Sequence, residues 1–197
     1  MKENYINTGR TNQKIETRGK ILISAQYFLN KGLEFNLEDI AKRTGVSRAT
    51  IYRYFSNVDV LATEAALDIS TKSPTAVFEN LHGKTIGDKV LEIQDYYNTL
   101  ATNHEKLFRK YISTVLNSGT ATPKRGARRK KTLQLVFERA NYTPKEKKDL
   151  SNLLTILMGI EPLIVTKDVC GLNNEESFEL LKWGMELLLE GFNNSKK

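Results

Sequence analysis

The chain has 197 residues and a formal net charge of +7, a length that allows a small domain and a larger one with its own core. The excess charge is uneven, because residues 1–58 carry ten Lys and Arg against five Asp and Glu, whereas residues 59–197 carry twenty against eighteen. A single cysteine excludes an intrachain disulfide. We find no signal-like segment and no apolar run near the roughly 20 residues that span a bilayer. We therefore expect a cytoplasmic protein without membrane contact.

Residues 1–16 are polar, rich in Asn, Thr and Lys, and without an apolar period, so we predict a flexible N-terminal arm. Arg10 or Lys14 could reach a minor groove from such an arm, although an ordinary frayed terminus is the interpretation we prefer. An amphipathic helix is predicted next, over 18–31. Its apolar positions follow one face and are Ile21, Leu22, Ala25, Phe28 and Leu29.

The segment 36–55 has the pattern of two short helices hinged at a glycine. Asn36 is a good N-cap, and Asp39 stands three residues later in a weaker form of the capping box. The first helix is predicted to end just before Gly45, which can adopt the positive φ that a chain leaving a helix commonly needs. Ser47 can then cap the second helix.

The second helix has an inner and an outer face. We predict that the inner face carries Ala49, Ile51, Tyr52 and Phe55. The outer face then keeps donors suited to phosphates and base edges, namely Arg48, Thr50, Arg53 and Tyr54. A bare helix-glycine-helix pattern is more often an ordinary hairpin with a solvated basic face, but the flanking helices here favour a small three-helix core. Downstream, the spacing of Ser56 and Asp59 predicts another capping box at the start of a connecting helix.

These residues resemble the N-terminal domain of the TetR family of bacterial transcriptional regulators, over about 17–61. The resemblance rests on Phe35-Asn36-Leu37-Glu38-Asp39-Ile40-Ala41, on Gly45-Val46-Ser47, on Thr50-Ile51-Tyr52-Arg53-Tyr54-Phe55, and on Asp59 and Leu61. It implies a homodimer that binds double-stranded DNA at a palindromic operator, with a larger C-terminal domain that usually senses a small-molecule effector. Repression, with release from the operator by the effector, is the family-level expectation.

The resemblance also assigns candidate DNA contacts. Base contacts are commonly made at the positions of Arg48 and Ala49. Contacts to the DNA backbone, or the bracing of the helix, are assigned to Thr50, Tyr52 and Tyr54. The full candidate set is Arg18, Asn36, Ser47, Arg48, Ala49, Thr50, Tyr52, Arg53 and Tyr54. The chain departs from the family at Val58, where a phosphate-binding Lys is common. The charge would then have to come from Lys14, Arg18, Lys20, Lys42 or Arg43.

Beyond residue 74 the pattern changes to longer amphipathic helices. Apolar residues recur at spacings of three and four, first at Ile86, Val90, Ile93, Tyr97 and Leu100, and then at Leu107, Phe108, Tyr111, Ile112 and Val115. Residues 119–123 break the pattern, and a further helix is predicted over 128–140. Another helix is predicted to begin after Thr143, which can serve as its N-cap. Pro144 at the first helical position and Glu146 at the third make this a strong start signal.

No strand-like alternation of useful length appears, so the predicted fold class is all-α. It comprises an N-terminal three-helix helix-turn-helix headpiece and a larger C-terminal helical domain for ligand binding and dimerisation. We divide the chain into an arm at 1–16, the DNA-binding domain at 17–62, and the C-terminal domain at 63–197.

The last two predicted helices, at about 146–166 and 174–192, are apolar on more than one face. One face can pack within the subunit, but the other would expose a larger apolar patch than monomers usually tolerate. We therefore predict a homodimer through these helices; the alternative is an internal helix pair in a monomer. Pro162 should kink the first of the two helices.

A ligand pocket is harder to predict. The C-terminal domain offers aromatic or adaptable side chains for an effector site, and the candidates are Tyr97, His104, Phe108, Tyr111, Met158 and Trp183. Each of them is more often a core residue in a helical bundle. No acidic cluster indicates the charge of the effector, so its chemical class stays open.

The run 124–131 carries six positive charges, at Lys124, Arg125, Arg128, Arg129, Lys130 and Lys131. It could bind an anionic ligand, an acidic partner, or DNA away from the helix-turn-helix. A solvated loop that leads into a helix is the interpretation we prefer.

An enzyme is the main competing class. The two histidines, His82 and His104, show no metal-ligand spacing, and Cys170 has no histidine near it in sequence. A Gly-rich phosphate loop is also missing. We therefore predict no catalysis, no cofactor and no metal. A third class is a DNA-bound adaptor whose C-terminal domain binds a protein partner rather than a small molecule.

Overall fold

The computed structural model describes the backbone of residues 2–117 and 127–195, and the side chains of residues 13–68, 71–117 and 127–195. Every regular element in these ranges is helical, which confirms the all-α prediction. The helices are α1 Lys2–Asn30, α2 Leu37–Thr44, α3 Arg48–Tyr54, α4 Val58–Ser70, α5 Pro74–Glu79, α6 Ile86–Asn103, α7 Glu105–Asn117, α8 Arg128–Glu138, α9 Pro144–Thr155, α10 Ile160–Ile164 and α11 Asn174–Asn194, with a π-helical turn Val165–Val169 after α10.

Helix α1 is longer than the sequence pattern predicts. It begins at Lys2 rather than near residue 18, so its backbone runs through residues 2–16, which belong to the predicted arm. The side chain of Arg10, a candidate for the minor groove, lies outside the described residues, and so does the break predicted at 119–123. Flexibility of the N-terminal segment stays a prediction.

The chain divides into two compact units. Unit 1 contains Met1–Ser70 and Lys106–Arg125, and unit 2 contains Thr71–Glu105 and Gly126–Lys197. Helix α7 therefore belongs to unit 1 except for its first residue, Glu105. The sequence pattern places all of α7 in the C-terminal domain, because an amphipathic stripe does not reveal which core it faces.

Unit 1 has an apolar core to which α1, α2, α3, α4 and α7 contribute. Its buried members are Ile21, Leu22, Ala25, Leu37, Ile40, Ile51, Phe55, Val60, Leu61, Ala65 and Val115. Half-buried apolar side chains also pack against it, among them Val46 from the turn between α2 and α3 and Val58 from the start of α4. The three predicted headpiece helices thus share one core, and α4 and α7 complete it.

The start of α4 differs from the prediction. Asn57, and not Ser56, supplies the capping side chain, because its Oδ1 accepts a hydrogen bond from the backbone N–H of Val60 at 2.9 Å. Asn is as good an N-cap as Ser, so the sequence offered two adjacent caps and the structure uses the second.

Unit 2 is built around α6, which packs against α8 and α11, while α8 also packs against α5 and α9. The inward stripe predicted for α6 is confirmed, and α8, which forms within the predicted range 128–140, buries one face as well. Their buried side chains include Val90, Ile93, Tyr97, Leu133, Val136 and Phe137. The predicted start of α9 is also present, since Thr143 and Glu146 form a complete capping box around Pro144.

The helix predicted at about 146–166 is interrupted. Helix α9 ends at Thr155 and α10 begins at Ile160, and between them Gly159 adopts φ +85° and ψ −160°, a conformation open almost only to glycine. The break is thus at Gly159 and not at Pro162, where we predicted a kink. Pro162 is the third residue of α10, in the first turn, where its missing N–H has no helical partner to lose.

Two buried amides of α6 satisfy backbone groups that the break leaves without helical partners. The Nε2 of Gln94 donates to the carbonyl of Leu157 at 2.9 Å. The Oδ1 of Asn98 accepts the N–H of Gly159 at 2.7 Å. Buried polar groups are costly when unpaired, so these two contacts stabilise the break itself.

Arg129 closes the same break from α8. Its Nη1 donates to the carbonyl of Met158, and it also lies 2.8 Å from Oε2 of Glu161. Polar side chains from two helices thus bind the non-helical backbone between α9 and α10. The break is a specified feature of unit 2 and not a local irregularity.

Within the described residues, the stretch Pro144–Val169 is long and apolar enough to cross a bilayer by length and composition alone. Its most apolar window is 44% buried inside the protein, and the core helices of soluble proteins pass the same test. Leu150, Leu154 and Leu163 are buried in unit 2. Internal packing accounts for part of the apolar character of the stretch, and one such stretch is weak evidence for a membrane helix.

Replacement of Gly159 by alanine should destabilise the protein, because the added Cβ would lie 2.6 Å from Nη1 of Arg129 and the backbone conformation disfavours any side chain. We expect Gly159→Ala to lower the free energy of unfolding by about 1–3 kcal/mol in urea denaturation. Gly87→Ala in α6 is the matched control, since its Cβ would meet nothing closer than 3.9 Å. Equal stabilities of the two variants would contradict this account of the break.

Candidate nucleic-acid interface

Helix α2 begins with the capping box that the sequence predicts. The Oδ1 of Asn36 accepts the backbone N–H groups of Glu38 at 2.8 Å and Asp39 at 3.1 Å. The carboxylate of Asp39 in turn accepts the N–H of Asn36 at 3.0 Å. Asn36 is therefore committed to the start of α2 through its side-chain oxygen. Only its amide nitrogen is left over for the DNA contact assigned to it.

The turn between α2 and α3 depends on Gly45, which has φ +69° and donates its N–H to the carbonyl of Ala41 at 3.0 Å. Ser47 caps α3 by accepting the N–H of Thr50 at 3.2 Å, and its hydroxyl donates to Oγ1 of Thr50 at 2.9 Å. Because Val46 packs on the core between these two caps, the turn holds α3 at a defined angle to α2. Both Ser47 and Thr50, as candidate DNA contacts, lie at the start of α3.

The inner face of α3 is narrower than predicted. Ile51 and Phe55 are fully buried, and Tyr54 packs half-buried beside them. Ala49 and Tyr52, which we predicted to face inward, are exposed. At about 100° per residue, Tyr54 lies about 60° from Ile51 around the helix and Tyr52 about 100°, so the core reaches the former and not the latter.

The outer face of α3 carries two cations and an aromatic ring. Arg48 and Arg53 are exposed, and Tyr52 is 51% exposed between them. Arg48 forms an ion pair with Glu38 of α2, in which both side chains are at least half exposed. A phosphate or a base edge can compete with such a solvated pair, so Arg48 remains available to DNA.

Further positive charge lies beside α2. Arg43 stacks over the ring of Tyr27 at 3.5 Å from the ring centroid, and Lys31 lies 5.0 Å from the same centroid. Lys42 is also exposed. Val58, where the resemblance leads one to expect a Lys, packs against the core and offers no charge. Phosphate contacts in this region must therefore come from other residues.

Arg18, a candidate DNA contact, is held inside unit 1. Its guanidinium forms two hydrogen bonds with the carboxylate of Glu64, and the two side chains are only 23% and 14% exposed. Burial lowers the pKa of Arg18, but the hydrogen bond and charge attraction to Glu64 outweigh burial and raise this pKa above its ordinary value. Sequence reasoning missed this pair because its members are 46 residues apart.

The six ligand candidates are divided between the two units. Phe108 and Tyr111 belong to unit 1, and the other four belong to unit 2. Met158 is fully buried in the break between α9 and α10, whereas Trp183 is 58% exposed on α11. His104 ends α6 as its C-cap and is half-buried.

Tyr97 is a core residue of unit 2. Its hydroxyl forms a hydrogen bond with Oγ1 of Thr132 at 3.0 Å, and burial raises the pKa of Tyr97 to about 12. The phenol is therefore neutral at ordinary pH and already has a partner, as expected of a satisfied core tyrosine.

Two open grooves of unit 2 are lined by none of the six candidates. One, of about 530 Å³, lies between α6 and α11 and is bordered by Lys84, Asp88, Leu91, Glu92, Gln94, Asp95, Asn98, Phe178, Glu179 and Lys182. The other, of about 660 Å³, lies among α5, α8 and α9 and is bordered by Pro74, Thr75, Lys131, Gln134, Leu135, Glu138, Pro144, Lys147, Lys148 and Ser151. Their walls come from distant parts of the chain, so no local sequence signal could have found them.

The basic run does not act as one solvated segment. Lys124, Arg125 and Gly126 lie outside the described residues. Among those that follow, Arg129 points inward to the break between α9 and α10, while Lys131 borders the second groove. The run therefore has at least one structural member, which the sequence did not reveal.

The comparison with protein families bears on the surface formed by α2 and α3. Residues 24–65 match the family model described as bacterial regulatory proteins, tetR family. The match begins within α1 and ends within α4, so it includes the turn at Gly45 and the whole of α3. No curated protein matches the chain. This N-terminal domain is thus similar to the DNA-binding domain of the tetR family, which supports a DNA-binding transcriptional regulator of the helix-turn-helix type.

Proposed function

We propose that the protein is a cytoplasmic homodimeric repressor, which binds a palindromic operator through α3 and is released from it by a small-molecule effector bound to unit 2. The observation that carries the proposal is the outer face of α3, where Arg48, Tyr52 and Arg53 are exposed while Ile51 and Phe55 fix the inner face. A helix so anchored can enter a major groove with its polar side chains forward.

Within this proposal the candidate residues have different roles. We assign base edges to Arg48 and Ala49, because they lie at the N-terminal end of α3, the end that commonly enters the groove. We assign phosphates to Tyr52 and Arg53 and to the hydroxyls of Ser47 and Thr50. Asn36 caps α2 and Tyr54 packs against the core, so we assign both of them only secondary roles in DNA binding. We omit Arg18, because its guanidinium is bound to Glu64.

Exposed apolar side chains support the homodimer. On α11, Leu180, Trp183 and Leu187 follow one face at spacings of three and four, and each is at least 40% exposed. The same exposure is found on the broken helix before it, at Leu153, Ile156, Val165 and Val169. A two-fold contact would bury the same patch on both subunits, and it would present two copies of α3 to successive major grooves about 34 Å apart.

Effector binding is supported by the groove between α6 and α11. Its volume of about 530 Å³ is within the usual range for small-molecule sites. Gln94 and Asn98 border it, and the same two amides hold the break between α9 and α10. A ligand in the groove could therefore act on the segment that carries the proposed dimer face. Coupling free energies of about 1–3 kcal/mol are typical and would suffice for release.

Arg48→Ala tests base readout by α3. We expect the affinity for the operator to fall by about 5- to 150-fold, while the affinity for random DNA falls much less, so that the ratio of the two affinities drops. Fluorescence anisotropy titrations at physiological salt measure both. Lys145→Ala is the matched control, because it removes one positive charge from an 87% exposed side chain in unit 2. An unchanged ratio for Arg48→Ala would show that α3 does not read bases through this residue.

Leu187→Glu tests the proposed dimer face. A buried, unpaired carboxylate at a two-fold contact would be present twice, so we expect the variant to sediment as a monomer at concentrations where the wild type is a dimer. Leu116→Glu is the matched control, since Leu116 is 70% exposed on α7 and belongs to unit 1, whereas the proposed face belongs to unit 2. A Leu187→Glu protein that remains dimeric would place the dimer contact elsewhere.

A further inference from the structure

Unit 1 contains a partly buried polar cluster that lies next to the end of α3. It consists of Arg18 on α1, Glu64 on α4 and Tyr111 on α7. Glu64 Oε2 accepts a hydrogen bond from Nη2 of Arg18 at 2.7 Å and another from the Tyr111 hydroxyl at 3.3 Å. One carboxylate therefore connects three helices.

The cluster also contacts Phe55, the C-cap residue of α3. The guanidinium carbon of Arg18 lies 4.9 Å from the centroid of the Phe55 ring, in the geometry of a cation–π contact. Phe55 is fully buried, and its N–H donates to the carbonyl of Ile51 at 2.9 Å, which closes α3. The position of Arg18 is thus coupled to the end of α3 through direct packing.

Helix α7 is an unexpected member of this cluster, because residues 71–105 separate it in sequence from α4 and belong to unit 2. The first residue of α7, Glu105, forms an ion pair within unit 2 with Lys167 at 2.6 Å. Tyr111 follows six residues later, or about 9 Å along the same helix. A single helix therefore begins at a charged contact of unit 2 and carries Tyr111 into the core of unit 1.

We propose that Tyr111 is a positioning residue for DNA binding: its hydroxyl orients Glu64, and Glu64 through Arg18 sets the position of Phe55 and so of α3. The hydrogen bond from Tyr111 is the weaker of the two contacts to Glu64, because its donor is neutral and lies 3.3 Å from the carboxylate. Arg18 instead holds Glu64 by a charged, bidentate contact. A shift of α7 would act on α3 by this route. The inference rests on the proposed reading of DNA by α3.

Tyr111→Phe removes only the hydroxyl, and hydrogen exchange of backbone amides reports its effect without any DNA. We expect the amides of α3 to exchange about 2- to 12-fold faster, the range that corresponds to a typical net hydrogen bond, while the amides of α2 change less. Tyr27→Phe is the matched control, since it loses the same group in unit 1 and keeps its ring beneath Arg43. Equal acceleration in α2 and α3 would indicate general destabilisation and would overturn the proposal, as would unchanged exchange in α3.

Glu64→Gln provides a second test, because our proposal and simple electrostatics predict opposite changes in its affinity for the operator. Loss of a negative charge near DNA should strengthen binding to every sequence, as we expect for Glu34→Gln, in which the replaced carboxylate is exposed. Our proposal instead predicts that Glu64→Gln binds the operator about 5-fold or more weakly, with random-DNA affinity and the salt dependence of operator binding unchanged. Tighter operator binding by both variants would overturn it.

The two tests also separate this inference from the proposed function. If the wild type prefers no DNA sequence, the proposed operator binding fails, whereas the exchange of α3 amides in Tyr111→Phe still decides whether Tyr111 positions that helix. If the wild type has an operator and both α3 exchange and operator affinity ignore Tyr111→Phe, the inference alone fails.

Discussion

The anchoring of α3 by Ile51 and Phe55 is the contact on which the proposed DNA-binding face depends. A helix of seven residues is too short to be stable alone, so its position comes from burial in the core of unit 1. Gly45 and the cap at Ser47 set its direction, and the two buried side chains set its rotation. Once both are fixed, Arg48, Tyr52 and Arg53 must face outward.

In unit 2, by contrast, polar side chains stabilise a break within an apolar helical stretch. Gln94, Asn98 and Arg129 supply the hydrogen bonds that a continuous helix would have made for itself. The segment before Gly159 and the segment after it then differ in direction, so their exposed apolar side chains are arranged as they could not be on one straight helix. Two of these residues, Gln94 and Asn98, also border the groove to which we assign the effector.

Local signals made much of the fold predictable. The caps at Asn36 and Thr143, the positive φ of Gly45 and the apolar stripes of α6 and α8 follow from residues within one or two turns of each other. The failures involve partners that are distant in sequence or faces that differ by a small rotation. Arg18 pairs with Glu64, which lies 46 residues away, and on α3 it is Tyr54 rather than Tyr52 that packs against the core.

The most direct test of the central claim is a footprint of the purified protein on the intergenic DNA upstream of its own gene, at physiological salt with random DNA as competitor. The account predicts a protected site with two-fold symmetry, whose half-sites are about one helical turn of DNA apart, or a multiple of that distance. Equal binding to the intergenic and random DNA would contradict it, because only the sequence-independent attraction of a basic surface to phosphates would then remain.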